Sequence, residues 1–407
     1  MSNLRILICG ASVAGPTLAY FLAGSGAKVT IVERAPSLRK EGQNIDIRGV
    51  GIKVIRRMGV EDDIRKATTG EVGLRFVDER NKIRAEMPAE PGNSNSATSE
   101  IEILRGQLAQ ILVDKSKEKG VEYIFGDYVS TLDQEEHHVR VSFAKSTESK
   151  EYDLVIAADG QNSKTRALAF GEKANGCINS LGQYMMYFSM ARGDTDSEWA
   201  RWYNAPGRRC LLIRPDNTGT TRAVFAVISS DPALEQTLEG PIGNQKPIWQ
   251  ELFEDAGWES ERALKGLDEA QDCYMQRVAQ VKIPSWSCGR VVLAGDAGYC
   301  PSPVSGMGTT CALVGSYILA GEIIEHGKDF NAAFQGYEEK FRPFVDKAQK
   351  LVPGGPKLLN PETKFGITIL NTTLGFMTAT GLTKVVGKLA GGAADAFELP
   401  DYQNGHS

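Results

Sequence analysis

The sequence predicts an α/β protein: a parallel sheet wrapped by helices, interrupted by an inserted antiparallel sheet and followed by a helical C-terminal segment. Three observations carry this. Short apolar, β-branched runs (the strand from Ile6, then KVTIVE, DLVIAA and VVLA) read as buried parallel strands, and three of them stop at Gly- or Asp-containing turns that lead into helix-spaced residues. The middle of the chain holds QYMMYFSMA, RCLLIRP and RAVFAVIS, which alternate like strands and are parted by turn-rich pieces such as RPDNTGTT. Beyond residue 345 the pattern is helical, with an uncharged stretch from Phe365 to Thr383.

Composition bounds the function classes. With 407 residues, 42% of them hydrophobic and 24% charged, the chain can bury a large core and falls in the range of one to three domains. The net charge of −5, with no basic block and no basic-aromatic interleaving, argues against a nucleic-acid partner. Seven cysteines, an odd number without a Cys-x-x-Cys pair, suggest neither a disulfide framework nor a zinc site, so a reducing, cytoplasmic setting is expected and no metal. The first strand begins within a few residues of Met1, which leaves no room for a cleavable targeting segment.

The opening ILICGASVAGPTLAY reads as strand, tight turn and helix, with Pro16 in the first helical turn where its missing N–H costs nothing. Gly10 permits the turn, Gly15 lets helix and strand pack closely, and the free N–H groups of the helix start attract a pyrophosphate. KVTIVE ends on Glu33, eighteen residues past Gly15, near the spacing at which an acidic residue takes the ribose hydroxyls of an adenine dinucleotide. Ser12 stands where this Rossmann-type fingerprint has its middle glycine. Its side chain narrows the approach to a pyrophosphate, although its hydroxyl can bond a phosphate oxygen.

Further along, Leu104, Leu108, Ile111 and Leu112 share one helical face, and the helix turns at Gly120 into the strand VEYIF. Arg105 opens that helix away from its apolar side, either as a solvated arginine or facing a ligand phosphate or ribose. DLVIAA breaks at Asp159-Gly160, at the carboxyl edge where parallel sheets bind ligands, and Ser163 and Arg166 follow where a helix would open. GRVVLAGDAGYCPSPVSGMG brings a second such edge, with Gly295-Asp296-Ala297, the bend Pro301 to Pro303, Gly306-Met307-Gly308 and a helix from about Thr309.

Taken in order and at these separations, GASVAG with Glu33, then Arg105, LVIAADGQNSKTR and GRVVLAGDAGYCPSPVSGMG resemble the single-component FAD-dependent aromatic hydroxylases. That group is typified by para-hydroxybenzoate hydroxylase and the tetracycline-inactivating flavin monooxygenases. The resemblance covers residues 1 to about 325. It implies that Gly10, Ser12, Ala14, Gly15, Glu33 and Arg34 hold the ADP half of a non-covalent FAD, together with Arg105. It further implies that Asp159 and Gly160 touch both FAD and the region of NAD(P)H approach, and that Gly295, Asp296, Pro303, Gly306, Met307 and Gly308 meet the ribityl and pyrophosphate portion. It implies NAD(P)H and O2 as co-substrates and a C4a-hydroperoxide. The helix starting after Gly308 would then place its positive end near the flavin.

The domains expected on this basis are an FAD-binding domain at 1–170 and 285–345, a substrate domain at 171–284 and the C-terminal helical segment at 346–407. In the substrate domain Tyr184, Tyr187, Trp202 and Phe225 are candidates for an apolar pocket holding an aromatic or polycyclic small molecule, with ordinary sheet packing as the alternative. Arg48, in GQNIDIRGVG, is the candidate catalytic residue, as an electrostatic contact to flavin or substrate or else a surface salt bridge with Asp46. The absence of a second glycine fingerprint argues for a transient visit by NAD(P)H. His137, His138, His326 and His406 fall in no motif, so neither a histidine base nor a histidine-linked flavin is expected. The Trp-x-Trp-x-Ile-Pro signature of flavin halogenases is also missing. Two other readings stay open: an FAD oxidase or dehydrogenase that does not use NAD(P)H, and a flavin-binding protein without turnover. For Phe365 to Thr383, three glycines, six threonines and Asn371 argue against a membrane span; a packed amphipathic helix is expected, with peripheral membrane contact as the alternative.

Overall fold

The structure, a computed structural model, describes residues 4–39, 42–90, 96, 98–146, 148–238, 240–352, 354–382 and 397–402. Its first layer is a six-stranded sheet in the order Ser287–Cys288, Val291–Leu293, Leu154–Ala157, Arg5–Cys9, Lys28–Glu33 and Glu122–Phe125. All neighbours run parallel except the short first edge strand. Side chains alternate across such a strand, so Ile6 and Ile8 face one way and Leu7 and Cys9 the other. On the first side Ile6, Ile8 and Ile31 join a core with Leu18 and Leu22 of the helix Ala14–Gly24 and Leu313 of the helix Gly308–His326.

On the other side the cover is not helical. Leu7, Cys9 and Val155 pack against Val139, Val141 and Phe143 of a three-stranded antiparallel sheet, Val129–Gln134, Val139–Phe143 and Ser149–Tyr152. The alternation of VRVSF, buried at its first, third and fifth residues, is what suits that strand to lie on the parallel sheet.

The second large sheet has seven strands, ordered Tyr274–Val281, Ile178–Ala191, Thr220–Ile228, Arg209–Pro215, Trp199–Ala205, Gly73–Val77 and Ile83–Pro88. It differs from the expected inserted sheet in two respects. Two of its strands come from residues 73–88, inside the stretch assigned to the FAD-binding domain, so 171–284 does not build it alone. It is also mixed, because Trp199–Ala205 runs parallel to Gly73–Val77. One face carries Met186, Phe188, Leu211, Ile213 and Phe225, buried against Trp249, Phe253, Leu264 and Leu267 of the helices Ile242–Phe253 and Ser260–Glu269.

A two-stranded antiparallel ribbon, Asn44–Ile47 with Ile101–Leu104, joins the two halves. From it Glu102 and Asn44 reach the large sheet: Arg214 pairs with Glu102, and Asn44 Nδ2 donates to Pro215 O at 3.1 Å. Arg214 also pairs with Glu71, Nε to Oε2 at 2.8 Å. Arg214 alternates with the buried Leu211 and Ile213 face, so the opposite face of the sheet is the one turned toward the nucleotide-binding half.

C-terminal helices follow at Phe330–Ala348, Gly355–Leu359 and Lys364–Ala379. The expected packed terminal helix exists and lies on the strand Ile83–Pro88, but none of its residues is buried. No helix among the described residues is long and apolar enough to cross a membrane.

Candidate active site

The first strand-to-helix turn is shaped by two close approaches. Gly10 has φ of +111°, and a Cβ there would lie 2.4 Å from Ala158 O; a Cβ on Gly15 would lie 2.0 Å from Gly10 O. No side chain fits at either position, as expected for a turn that leaves its backbone open to a ligand. Glu33 braces the same turn, its Oε2 accepting from Ala11 N at 3.0 Å and its Oε1 from Ala35 N at 2.9 Å. Each carboxylate oxygen keeps a lone pair for a ribose hydroxyl. Arg34, next to it, is exposed.

Ser12 is engaged by a partner that the sequence did not pair with it. The Arg105 guanidinium donates to Ser12 Oγ from Nε at 3.2 Å and from Nη2 at 3.1 Å. The positive charge of Arg105 also acts on Asp296, whose carboxyl opens to the cleft but has protein packed around its other sides. That burial raises its pKa above the ordinary carboxylate value, with Arg105 opposing the rise. Ala14 meets the same edge: a Cβ on Gly295 would stand 3.0 Å from Ala14 Cβ. The first turn, Arg105 and the Gly-Asp edge, far apart in sequence, are thus one surface.

The Asp159 residue is exposed, and its carboxylate is tied into its own loop. Its carboxylate accepts from Thr165 N at 3.0 Å, from Thr165 Oγ1 at 2.9 Å and from Ser163 Oγ, capping the helix Lys164–Phe170. Gly160, with φ of +87°, turns the chain there. Arg166, buried, ties this loop to the other edge by donating to Ala297 O at 2.7 Å and to Gln161 O at 2.9 Å. Asp159 therefore shapes the loop, while its backbone and that of Gly160 lie at the sheet edge beside Gly10.

The segment 301–308 holds two residues at positive φ, Ser302 at +78° and Gly306 at +63°, around the 3-10 turn Pro303–Ser305. Met307 then caps the helix Gly308–His326, one residue earlier than expected. Thr310 Oγ1 in its first turn accepts from Arg48 N at 3.0 Å. The Arg48 guanidinium, 8% exposed, donates to Asp46 Oδ2 at 2.8 Å and to Ser96 O at 2.6 Å. It lies against the Gly306 turn, since a Cβ on Gly306 would be 3.6 Å from Arg48 Nε. The pair with Asp46 exists, but it is a partly buried pair at this turn, with Arg48 itself buried, and not a surface salt bridge. Asp46 Oδ1 and Ser302 Oγ are buried in this segment without a hydrogen-bond partner among the described residues, an arrangement that a polar ligand relieves.

Of the four substrate candidates, two lie on the face of the large sheet that is turned toward the nucleotide-binding half. Strand register puts Trp202 opposite Leu212, Leu212 opposite Val224, Val224 opposite Tyr187 and Tyr187 opposite Tyr274. This row is on the same face as Arg214 and so faces the nucleotide-binding half. Tyr187 and Tyr274 stack with centroids 5.0 Å apart. Tyr184 and Phe225 are corrected: they sit on the opposite face, where Tyr184 donates to Glu235 Oε2 at 2.8 Å and Phe225 is fully buried between Trp249 and Phe253. Tyr184 and Tyr187, three residues apart on one strand, necessarily point to opposite faces. Tyr274, Leu212 and Val224 join this face through strand register and were not among the candidates.

These residues fit an adenine dinucleotide: Gly10 and the start of the helix Ala14–Gly24 would receive the pyrophosphate, Arg105 would serve as cation and Glu33 would take the ribose. Fold and site define a dinucleotide-binding protein of the α/β class. The comparisons with known proteins are specific on this point. The family described as FAD binding domain matches residues 3–351, and the chain belongs to it. The FAD-dependent monooxygenase asL6 of Sarocladium schorii is 34% identical over 98% of this chain and 98% of its own. The flavin-dependent monooxygenase eupH of a Phoma species is 35% identical over 99% and 98%. Among solved structures, tetracycline destructase Tet(55) superposes with a TM-score of 0.80 at 32% identity, covering 99% of this chain and all of that one. Klebsiella pneumoniae HpxO, complexed with FAD and uric acid, shares the fold at 18% identity with a TM-score of 0.75. The protein is an FAD-dependent enzyme of the flavin monooxygenase group.

Proposed function

We propose that this enzyme uses NAD(P)H and O2 to hydroxylate or epoxidise a small aromatic or polycyclic compound. For hydroxylation the balance is substrate–H + NAD(P)H + H⁺ + O2 giving substrate–OH + NAD(P)⁺ + H2O. The observation that carries the reading is the row Trp202, Leu212, Val224, Tyr187 and Tyr274, an apolar and aromatic surface turned toward the nucleotide-binding half. Such a surface suits a flat, largely apolar ligand. The relative Tet(55) is named for tetracycline, a fused-ring compound of this shape.

Bound FAD supplies the redox chemistry, accepting electrons from NAD(P)H and activating O2. The chain's own residues do the rest. Gly10 and Gly15 open the backbone to the pyrophosphate, Glu33 accepts from ribose hydroxyls, and Arg105 offsets phosphate charge. The Arg48 guanidinium and the N-terminal N–H groups of the helix Gly308–His326 place positive charge at one turn, where they stabilise negative charge that develops during reduction. The sheet face of Trp202 and Tyr187 excludes water above that turn.

The test is pyridine-nucleotide oxidation by the holoenzyme under air, with NADH and NADPH separately, against a panel of phenols and fused-ring phenolics. Substrate-stimulated oxidation supports the proposal. A compound that bleaches the flavin anaerobically with no pyridine nucleotide present would assign an oxidase or dehydrogenase instead.

A further inference from the structure

Ten large hydrophobic side chains are exposed among the described residues, and six of them, Val352, Leu358, Phe365, Ile369, Phe376 and Leu382, fall within one short C-terminal stretch. In the helix Lys364–Ala379, Phe365, Ile369 and Phe376 follow one another at intervals of four and seven residues. At 3.6 residues per turn they form one stripe, with Thr372 between the last two. The stripe points outward: Phe365 is 73% exposed and Phe376 64%. The helix cannot simply roll to hide it, because its other side is seated on the strand Ile83–Pro88, so closely at Gly375 that a Cβ there would be 2.5 Å from Arg84 O. Aromatic side chains held open to water in a row mark a surface that something covers.

Charge says what covers it. Between residues 347 and 394 the sequence has six lysines and a single acidic residue, Glu362, in a chain whose net charge is −5. Lys364, exposed, adjoins Phe365 at the N-terminal end of the stripe, and Lys357, also exposed, is on the short helix that precedes it in the chain. From Phe365 to Thr383 there is no charged residue at all. An apolar stripe with lysines beside it, on a helix not apolar enough to cross a bilayer, has the character of a helix that lies in the headgroup layer.

We propose that the face formed by Phe365, Ile369 and Phe376 docks on an anionic phospholipid surface, with the helix Lys364–Ala379 in the plane of the headgroups. The competing occupant is a second copy of this chain. A twofold contact would bring two lysine-flanked faces together, which the charge disfavours. The proposal does not depend on which substrate the enzyme takes.

The experiment is co-sedimentation of the full-chain holoenzyme with large vesicles of phosphatidylcholine alone and of phosphatidylcholine with about one third phosphatidylserine. Expected is retention by the anionic vesicles at least about fivefold above the neutral ones, falling as salt is raised. The triple variant Phe365→Ser, Ile369→Ser, Phe376→Ser should lose retention while keeping its flavin absorbance and melting temperature, since these side chains face solvent. Lys357→Glu with Lys364→Glu should lose the preference for anionic vesicles. No retention by either vesicle, or equal retention by both, overturns the proposal. So does concentration-dependent dimerisation in sedimentation velocity that the triple variant abolishes without any vesicle binding, which would give the face to a second copy.

Discussion

Both Nε and Nη2 of Arg105 donate to the hydroxyl of Ser12, at 3.2 and 3.1 Å. The residue that departs from glycine in the first turn is therefore the one that holds the site's cation in position before a ligand arrives. Arg105→Ala removes that cation, and charge-assisted hydrogen bonds of this kind contribute about 1.5–3 kcal/mol, so FAD affinity should fall by about tenfold or more. Ser12→Gly frees the guanidinium without removing it and should change affinity by less than about threefold. Titrating apoprotein with FAD and following flavin fluorescence reads both; an unchanged affinity in Arg105→Ala would remove it from the cofactor site.

Arg48 tests the other end of the site. Removing it alone leaves the partly buried Asp46 carboxylate without its cation and would also lower stability, which would confuse the reading. The double variant Asp46→Asn, Arg48→Met avoids this. It should bind FAD within about threefold of the parent while substrate-dependent turnover falls about tenfold or more, roughly 1.4 kcal/mol of transition-state stabilisation. Normal turnover would make the pair purely structural.

The two faces of the large sheet should separate stability from specificity. Phe225→Ala opens a cavity between Trp249 and Phe253 and should cost about 3–5 kcal/mol in urea unfolding. Trp202→Ala, on the opposite face, should raise KM for the substrate about tenfold and leave FAD affinity unchanged. If the two variants behave alike, the division of the sheet into a packed face and a ligand face is wrong.

Glu102 gives a pH dependence. Burial raises its carboxyl to about 8, with Arg214 opposing and Glu71 and Asp46 adding to the rise. Between its ordinary value of 4.5 and about 8 the folded state holds a proton that the unfolded state has lost, so stability falls as pH rises through that window and levels off above it. Glu102→Gln should flatten the change in melting temperature between pH 5.5 and 8 that the parent shows. Parallel curves for the two proteins would assign the dependence elsewhere.

Much of this architecture was legible because it is local. Gly10, Glu33 and Asp296 sit at or just beyond strand ends and Gly15 in the first turn of the helix that follows, where an apolar run followed by small residues marks a sheet edge in any sequence. The Ser12 to Arg105 pairing was not legible, because it depends on how the helix beginning at Arg105 crosses the first turn. Phe225 was misread and Tyr274 missed for one reason: the face a strand residue takes is set by register with its neighbours, and register is not local. The strands at 73–88 were invisible as part of the large sheet because they join its edge across a parallel pairing with Trp199–Ala205, distant in the chain.

The central claim, an oxygen-inserting flavoenzyme, is tested most directly by isotope. The holoenzyme is supplied with NAD(P)H, a substrate that stimulates its oxidation, and ¹⁸O2 in ordinary water, and the product is weighed by mass spectrometry. The account predicts one ¹⁸O atom in each product molecule and one NAD(P)H consumed for each, with the second oxygen atom appearing as water. Product that carries no label, or that forms at full rate without NAD(P)H, would contradict it.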